Sequence, residues 1–295
     1  MPEPVTVHFV DASPYIFRAH FSLPSSIKSP DGMRAGAIYG FASFLLKLTA
    51  DEKPTHLAVA FDRNLNGSFR NDEYPAYKAQ REDPPPELVA QIDPCLEVAS
   101  ALGAATFIDD RYEADDLIGT LCSRITPRGH RAVIVTSDKD LTQLVSDQVT
   151  LLDFAKGERY DAAAVREKFG VRPDQITDLL ALAGDPVDNI PGVAGIGRKT
   201  AAEILAAFDH LEDVYDRLEE LRTSKLRGAR TLHAKLSASR DVAFLSKRLA
   251  TVAFDAPAKA SLDDLRWQGA DTARVDALFD RFGFKKIRER VPAPA

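Results

Sequence analysis

Carboxylates gather in three short segments of the chain: Glu113, Asp115 and Asp116 in YEADD, Asp138 and Asp140 in TSDKD, and Asp185 and Asp188 in GDPVDN. If these segments meet in one cleft, two carboxylates about 4 Å apart repel by roughly 4 kcal/mol at an effective dielectric near 20. A cation must offset that repulsion. Hard divalent ions with oxygen ligands, Mg²⁺ or Mn²⁺, suit such acids; they keep several waters and bind substrate phosphates. In YEADDLIGTLCSRI, the apolar Leu117, Ile118 and Leu121 mark one helix face, while Glu113 and Asp116 lie near the amino end and can converge. The competing explanation is acids drawn to the positive end of a helix dipole. Asp138 and Asp140 stand two residues apart after an apolar run and share a side if the backbone stays extended. Their competing explanation is an Asx turn, with Asp140 capping a helix over 141–145.

The segment GDPVDNIPGVAGIGRKTAAEIL pairs acids with glycines and bases. It is not a phosphate-binding P-loop, because Arg198 displaces Lys199 from the required Gly-Lys-Thr. Nor is it a dinucleotide fingerprint, since no strong strand precedes it. Helix, glycine-rich hairpin, helix fits better. Gly195 and Gly197 let the backbone approach a ligand, and the N–H groups opening a helix at Arg198 offer an anion site beside Arg198 and Lys199. A tight interhelical turn with two solvated bases is the plain alternative.

Positioning these groups requires a scaffold. Short, β-branched apolar runs at 5–10, 57–61 and 132–136 read as buried parallel strands, with weaker candidates at 105–108 and 149–154. Helical spacing lies between them at 35–49, 88–102 and 114–123. The alternation predicts an α/β fold, a mostly parallel central sheet flanked by helices. Each strong strand ends at or near an aspartate, at Asp11, Asp62 and Asp138, and parallel sheets bind ligands beyond their carboxyl ends. A single such Asp is an ordinary turn former; three together suggest a site. Residues 64–86, polar with interspersed aromatics and bases, form a connection too long to be structural filler, though a disordered surface loop would read the same way. Beyond Tyr160 helices replace strands: DAAAVREKFG runs from an Asp cap to a Gly stop, and RPDQITDLLALAG from an early Pro to a Gly. The expected division is an α/β domain over 1–170 and a helical region over 171–295, with the hairpin motif at 176–208 and a frayed tail at 291–295.

A chain of 295 residues, 45% hydrophobic, can bury a substantial core. Cys95 and Cys122 read as small core residues, and no His/Cys cluster has zinc-ligand spacing. Without a signal segment or a membrane-length apolar stretch, a cytoplasmic location is expected. The net charge of −6 argues against a nucleic-acid partner only if the clustered acids stay free, because bound divalent ions would cancel much of it.

The segments VDASPYIFRAHF, PTHLAVAFD, SFRNDEYPAYKAQR, YEADDLIGTL, TSDKDLTQLVS, LLALAGDPVDNIPGVAGIGRKTA and DVAFLSKRLATV together resemble the 5′ nuclease family: bacterial 5′→3′ exonucleases, the 5′-nuclease domain of DNA polymerase I, and flap endonucleases. The resemblance implies a phosphodiesterase using two Mg²⁺ ions (Mn²⁺ as a substitute), held among Asp11, Asp62, Glu113, Asp115, Asp116, Asp138, Asp140, Asp185 and Asp188. It implies that residues 64–86 form a helical arch over single-stranded DNA. There Lys78 and Arg81, one helical turn apart, hold the scissile phosphate, Tyr77 stacks on a base, and Arg18 and Arg70 support the phosphate near the metals. The hairpin becomes a helix-hairpin-helix gripping duplex through Gly195, Gly197, Arg198, Lys199 and Thr200. K⁺ would bind there on the main-chain oxygens of Leu182, Ala183, Pro191, Val193 and Ile196. The implied partners are branched or flapped DNA and RNA–DNA primer junctions, bound by a stand-alone, monomeric nuclease. The chain departs from the family at Ala12 and Pro14, which stiffen the turn after Asp11, and at Glu82 and Asp83, which place charge where relatives are proline-rich. A branched-DNA-binding protein without catalysis and a single-strand ribonuclease are the alternative readings.

Overall fold

The structure, a computed structural model, describes residues 3–65 and 67–292. The last three residues of the expected frayed tail lie outside them. Strands β1 (Thr6–Asp11), β2 (His56–Asp62), β3 (Ala105–Asp109), β4 (Arg131–Val135), β5 (Val149–Asp153) and β6 (Glu158–Tyr160) form one sheet in the order β3-β2-β1-β4-β5-β6. The first five are parallel and β6 is antiparallel to β5. The edge strand β6 escaped the sequence reading because ERY lacks an apolar run; its pairing with β5 defines it.

Helices α1 (Ser13–Ser22), α2 (Gly36–Glu52), α3 (Arg70–Glu73), α4 (Pro86–Val89), α5 (Ile92–Ala101) and α6 (Ala114–Ile125) fill the connections. The single helix expected over 88–102 is two, broken at Ala90–Gln91, where the Gln91 side chain turns back to accept from Ala37 N–H at 2.9 Å. After β6 come α7 (Ala162–Phe169) and then, in the helical region, α8 (Ile176–Ala183), α9 (Arg198–Phe208), α10 (Leu211–Asp216), α11 (Leu218–Thr223), α12 (Ala229–Ala238), α13 (Arg240–Ala250) and α14 (Thr272–Phe282). As the caps predict, the Asp161 carboxylate accepts from Ala164 N–H at 2.8 Å and Gly170 ends α7 at φ 76°.

The two-residue period of the strands decides which end residues meet. Val7 and Phe9, Ala58 and Ala60, and Ala132 and Ile134 bury on the face that holds α6 and α8. Val10, Val59 and Val135 bury on the opposite face, against α2, α5 and α14. Continuing that alternation sends Asp11, Asp62 and Thr136 toward the α6 face. The sheet order reverses between β1 and β4, so this corner is the switch point where open α/β sheets bind ligands.

Candidate active site

Asp11 is almost fully buried at the end of β1, and its Oδ2 accepts from the Thr136 hydroxyl at 2.8 Å. Asp62 accepts from the Ser13 hydroxyl and, at 2.7 Å, from Ala114 N–H, so it secures the first turn of α6. That turn projects Asp115 and the preceding Glu113 into the same space. Beyond β4, Asp138 and Asp140 complete the far wall. The Asx turn exists, the Asp138 carboxylate accepting from Asp140 N–H at 2.9 Å, but Asp140 caps no helix over 141–145: it is itself the first residue of a short 3₁₀ turn over Asp140–Leu144. Asp188, from the loop between α8 and α9, reaches the same cavity of about 210 Å³.

Burial, followed by the neighbouring Asp62, pushes the Asp11 carboxyl well above the ordinary carboxylate value. Asp115 and Asp140 are raised in the same way, by burial and then by Asp138. Glu113 behaves oppositely: burial opposes its charge, but Lys78 and Arg70 outweigh burial and hold it low. The acids therefore face one another at an electrostatic cost that added positive charge would relieve.

The donor set suits a hydrated hard cation. Seven carboxylates line the cavity, and among the described residues Glu113 keeps Oε1 buried without a hydrogen-bond partner. Among the described residues, no three His, Cys, Asp or Glu side chains draw together as a closed metal cage. A hard divalent ion that keeps most of its waters needs only one or two direct carboxylate ligands.

The segment expected to arch over the site folds down onto it. Lys78 adopts φ 56° within a run of turns, so Lys78 and Arg81 do not share a helical face. Its ammonium lies 2.7 Å from Glu113 Oε2 and 4.0 Å from Asp188 Oδ2, and its N–H donates to Asp188 O at 3.0 Å. Arg81 pairs with the Asp188 carboxylate. Gln80 donates to Pro186 O and Val187 O at 2.8 and 2.9 Å, and Asn189 donates to Ala76 O at 2.6 Å. Thus 76–81 and 186–189 are joined across the cavity mouth.

Further expectations require correction. Asp116 does not face the cavity: it is completely buried, takes two hydrogen bonds from the Arg70 guanidinium, and accepts from Glu113 and Ala253 N–H at 3.1 and 2.8 Å. Arg70 is correspondingly committed, since it also donates to Leu249 O and Thr251 O at 2.9 Å each. It ties the arch segment to α6 and α13 instead of waiting for phosphate. Tyr77 offers no ring for stacking, being 2% exposed with its hydroxyl donating to Asp188 at 3.1 Å. Arg18 points away from the acids and lines a different concavity on another face of α1.

Asp185 sits just outside the cavity lining, accepting from Val187 N–H at 2.7 Å, with Arg198 of α9 at 3.7 Å from its other oxygen. The acid loop and the hairpin are thereby one unit. Gly192 and Gly184 pass so closely that a Cβ on Gly192 would lie 2.2 Å from Gly184 N. Gly195, at φ 74°, accepts from the Lys235 ammonium at 2.8 Å. Gly197 has open space around it, and Lys199 is exposed at the start of α9, one residue before Thr200. Of the oxygens expected to hold K⁺, Leu182 O accepts from Val193 N–H at 2.9 Å and Val193 O from Ile196 N–H at 3.0 Å, each keeping one lone pair. Those of Ala183, Pro191 and Ile196 belong to the same hairpin.

The sequence reading missed Thr136 and Ser13, which orient Asp11 and Asp62. Thr136 could have been found from its strand phase, shared with Ile134. Phe17, which also lines the cavity, carried no sequence signal distinguishing it from a core residue.

Residues 6–170 match the 5′-3′ exonuclease N-terminal resolvase-like domain, and residues 171–273 match the 5′-3′ exonuclease C-terminal SAM fold. The chain is 41% identical over 290 residues to DNA polymerase I of Bacillus caldotenax, covering 97% of this chain and 32% of that protein. It is 39% identical over 295 residues to DNA polymerase I of Bacillus subtilis strain 168, covering 99% and 33%. The chain thus spans about a third of the length of these relatives. Among solved structures, zinc-bound T5 5′-exonuclease aligns with a TM-score of 0.68 at 22% identity, covering 97% of this chain and 96% of that one. The catalytic core of Rad2 in complex with DNA substrate aligns at 0.64 and 16% identity, covering 98% and 90%. These two likenesses establish the fold. No helix among the described residues is long and apolar enough to cross a membrane.

Proposed function

Because the chain belongs to the 5′-3′ exonuclease family, we propose that it hydrolyses DNA phosphodiester bonds near 5′ ends and branch points, as an exonuclease and flap endonuclease in replication or repair. The observation that carries this reading is the convergence of Asp11, Asp62, Glu113, Asp115, Asp138, Asp140 and Asp188 on one cavity, roofed by Lys78 and Arg81. Asp185 adds negative charge beside Asp140, from the loop that leads into the hairpin.

Two divalent ions, Mg²⁺ or Mn²⁺, held by these acids would supply Lewis-acid stabilisation of phosphate charge and acidify the attacking water. The remaining work falls to the chain. Thr136 and Ser13 hold the Asp11 and Asp62 carboxylates in place, and Arg70 holds the start of α6 through Asp116. Lys78 and Arg81 must exchange their carboxylate partners for phosphate oxygens, which opens the mouth as the strand enters. Arg198, Lys199 and Thr200 at the start of α9 would grip duplex backbone. K⁺ on the carbonyls of Leu182, Ala183, Pro191, Val193 and Ile196 would stiffen that grip, since neutral oxygens suit a weakly hydrated monovalent ion. The proposed substrates are flapped or branched DNA, including RNA–DNA primer junctions, bound by a monomer.

The test is cleavage of a 5′-labelled flap duplex with Mg²⁺, against an Asp138→Ala control. Release of a labelled flap by the wild type alone supports the reading. Flap binding that persists in chelator, without turnover in Mg²⁺ or Mn²⁺, would replace it with a binding role.

A further inference from the structure

The last carbonyls of a helix have no partner within it, and where they are buried each must be met from elsewhere. Helix α13 ends in this way against the carboxylate cavity. Leu249 O accepts from Arg70 Nε at 2.9 Å, and Ala250 O accepts from Gln143 Nε2 at 3.0 Å. The chain that follows stays tied: Thr251 O accepts from Arg70, Val252 N–H donates to Gln143 Oε1 at 2.9 Å, and Ala253 N–H donates to Asp116. Val252 lies so close to α6 that a Cβ on Gly119 would stand 2.3 Å from its Cγ1. Residues 249–253 are therefore a seam where the helical region closes on the elements that carry the acids.

Gln143 does more than close this seam. Half-buried on the 3₁₀ turn after β4 and lining the cavity, it also donates from Nε2 to Asp140 O at 2.9 Å. A side-chain amide carries two donor hydrogens and an acceptor oxygen, and here both hydrogens and the oxygen are engaged. One turn back along α13 from Ala250 stands Ser246, fully buried, whose hydroxyl accepts from Gly192 N–H of the hairpin at 3.0 Å. A continuous set of bonds thus runs from Asp140 through Gln143 and the last turn of α13 to the hairpin.

We infer that Gln143 is a positioning residue: it fixes Asp140 relative to the hairpin, so that the acids and a duplex held at α9 keep one separation. The duplex and the metal rest on the nuclease reading; the bonds themselves do not. A purely structural Gln143 would be one more tie on the seam, equivalent to Thr120. The Thr120 hydroxyl donates to Ala253 O at 3.3 Å and accepts from Ala256 N–H at 3.0 Å, and it does not touch the 138–140 loop. The bond to Asp140 is what separates the two roles. Removing a side chain that stands one step behind a metal's ligands typically changes metal affinity or activity by about 10- to 100-fold.

The experiment compares Gln143→Met with Thr120→Val in the full chain, with urea unfolding of each. Gln143→Met should weaken Mn²⁺ binding, read by electron paramagnetic resonance without DNA, and slow single-turnover flap cleavage, each by about tenfold or more, while flap affinity in chelator changes by less than about twofold. Amide exchange over 138–145 in chelator should quicken in Gln143→Met and match the wild type in Thr120→Val. Thr120→Val should also keep wild-type Mn²⁺ affinity and cleavage, even where it lowers the urea midpoint. Wild-type exchange and Mn²⁺ affinity in Gln143→Met would overturn the inference. So would equal losses in the two variants, or a loss of flap affinity in Gln143→Met as large as its loss of rate. If Gln143→Met does not fold, Gln143→Asn, one methylene shorter, is read in the same way. Amide exchange needs neither metal nor cleavage, so a failed positioning role and a failed nuclease reading are told apart.

Discussion

Arg70 and Asp116 meet in two parallel hydrogen bonds, of 2.9 and 2.8 Å, with side chains only 5% and 0% exposed. A buried bidentate pair of this kind is a strut, and removing one partner strands the other's charge. Arg70→Ala or Asp116→Ala should each cost about 3–5 kcal/mol in urea unfolding, and Arg70→Met/Asp116→Leu should recover part of that. If Asp116→Asn kept wild-type stability but lost Mg²⁺ binding, the pair would belong to the metal site after all.

The raised acids make stability depend on pH in a definite direction. For Asp115, burial and then Asp138 lift the folded pKa well above the ordinary 3.8. Between those values the fold holds more protons than the unfolded chain, so stability falls as pH rises through the window. In chelator, the urea midpoint of the wild type relative to Asp115→Asn should therefore drop from mildly acidic to neutral pH. Added Mg²⁺ should reverse the trend, because the ion requires ionised carboxylates. A pH-independent difference in chelator would mean that Asp115 does not share a crowded cavity.

Lys78 and Lys199 are expected to divide the work. Lys78→Ala removes a cation from the cavity mouth and should slow flap cleavage by about 100-fold or more while leaving duplex affinity near wild type. Lys199→Ala should weaken duplex binding and make its log–log salt slope shallower by about 0.9, with single-turnover cleavage little changed. Equal losses of affinity in both variants would refute this division.

Two glycines of one hairpin should respond differently. Gly192→Ala forces a side chain into φ 60° and against the Gly184 backbone, costing at least about 1–3 kcal/mol and loosening duplex binding. Gly197, at φ −93° with open space around it, should accept Ala within about 0.5 kcal/mol. Urea unfolding of both variants checks the contrast.

Much of the site was legible in local pattern. Strand alternation, acids at strand ends, and glycine and aspartate caps act over a few residues, where the physics is short-ranged. That is why the β1, β2 and β4 cores and the direction of Asp11 and Asp62 follow from the chain as written. It also explains why the broken helix at Ala90–Gln91 was missed: the Gln91 contact to Ala37 spans 54 positions.

The functional side chains around the acids divide along the same line. Sequence alone determined which residues carry charge and which strands present them. Only the tertiary structure decided that Asp116 holds Arg70 across 46 positions, that Tyr77 turns inward to Asp188 across 111, and that Arg18 faces a groove instead of the acids. Whether a base meets phosphate or a buried carboxylate is settled by desolvation and competing partners, and these exist only once distant segments pack.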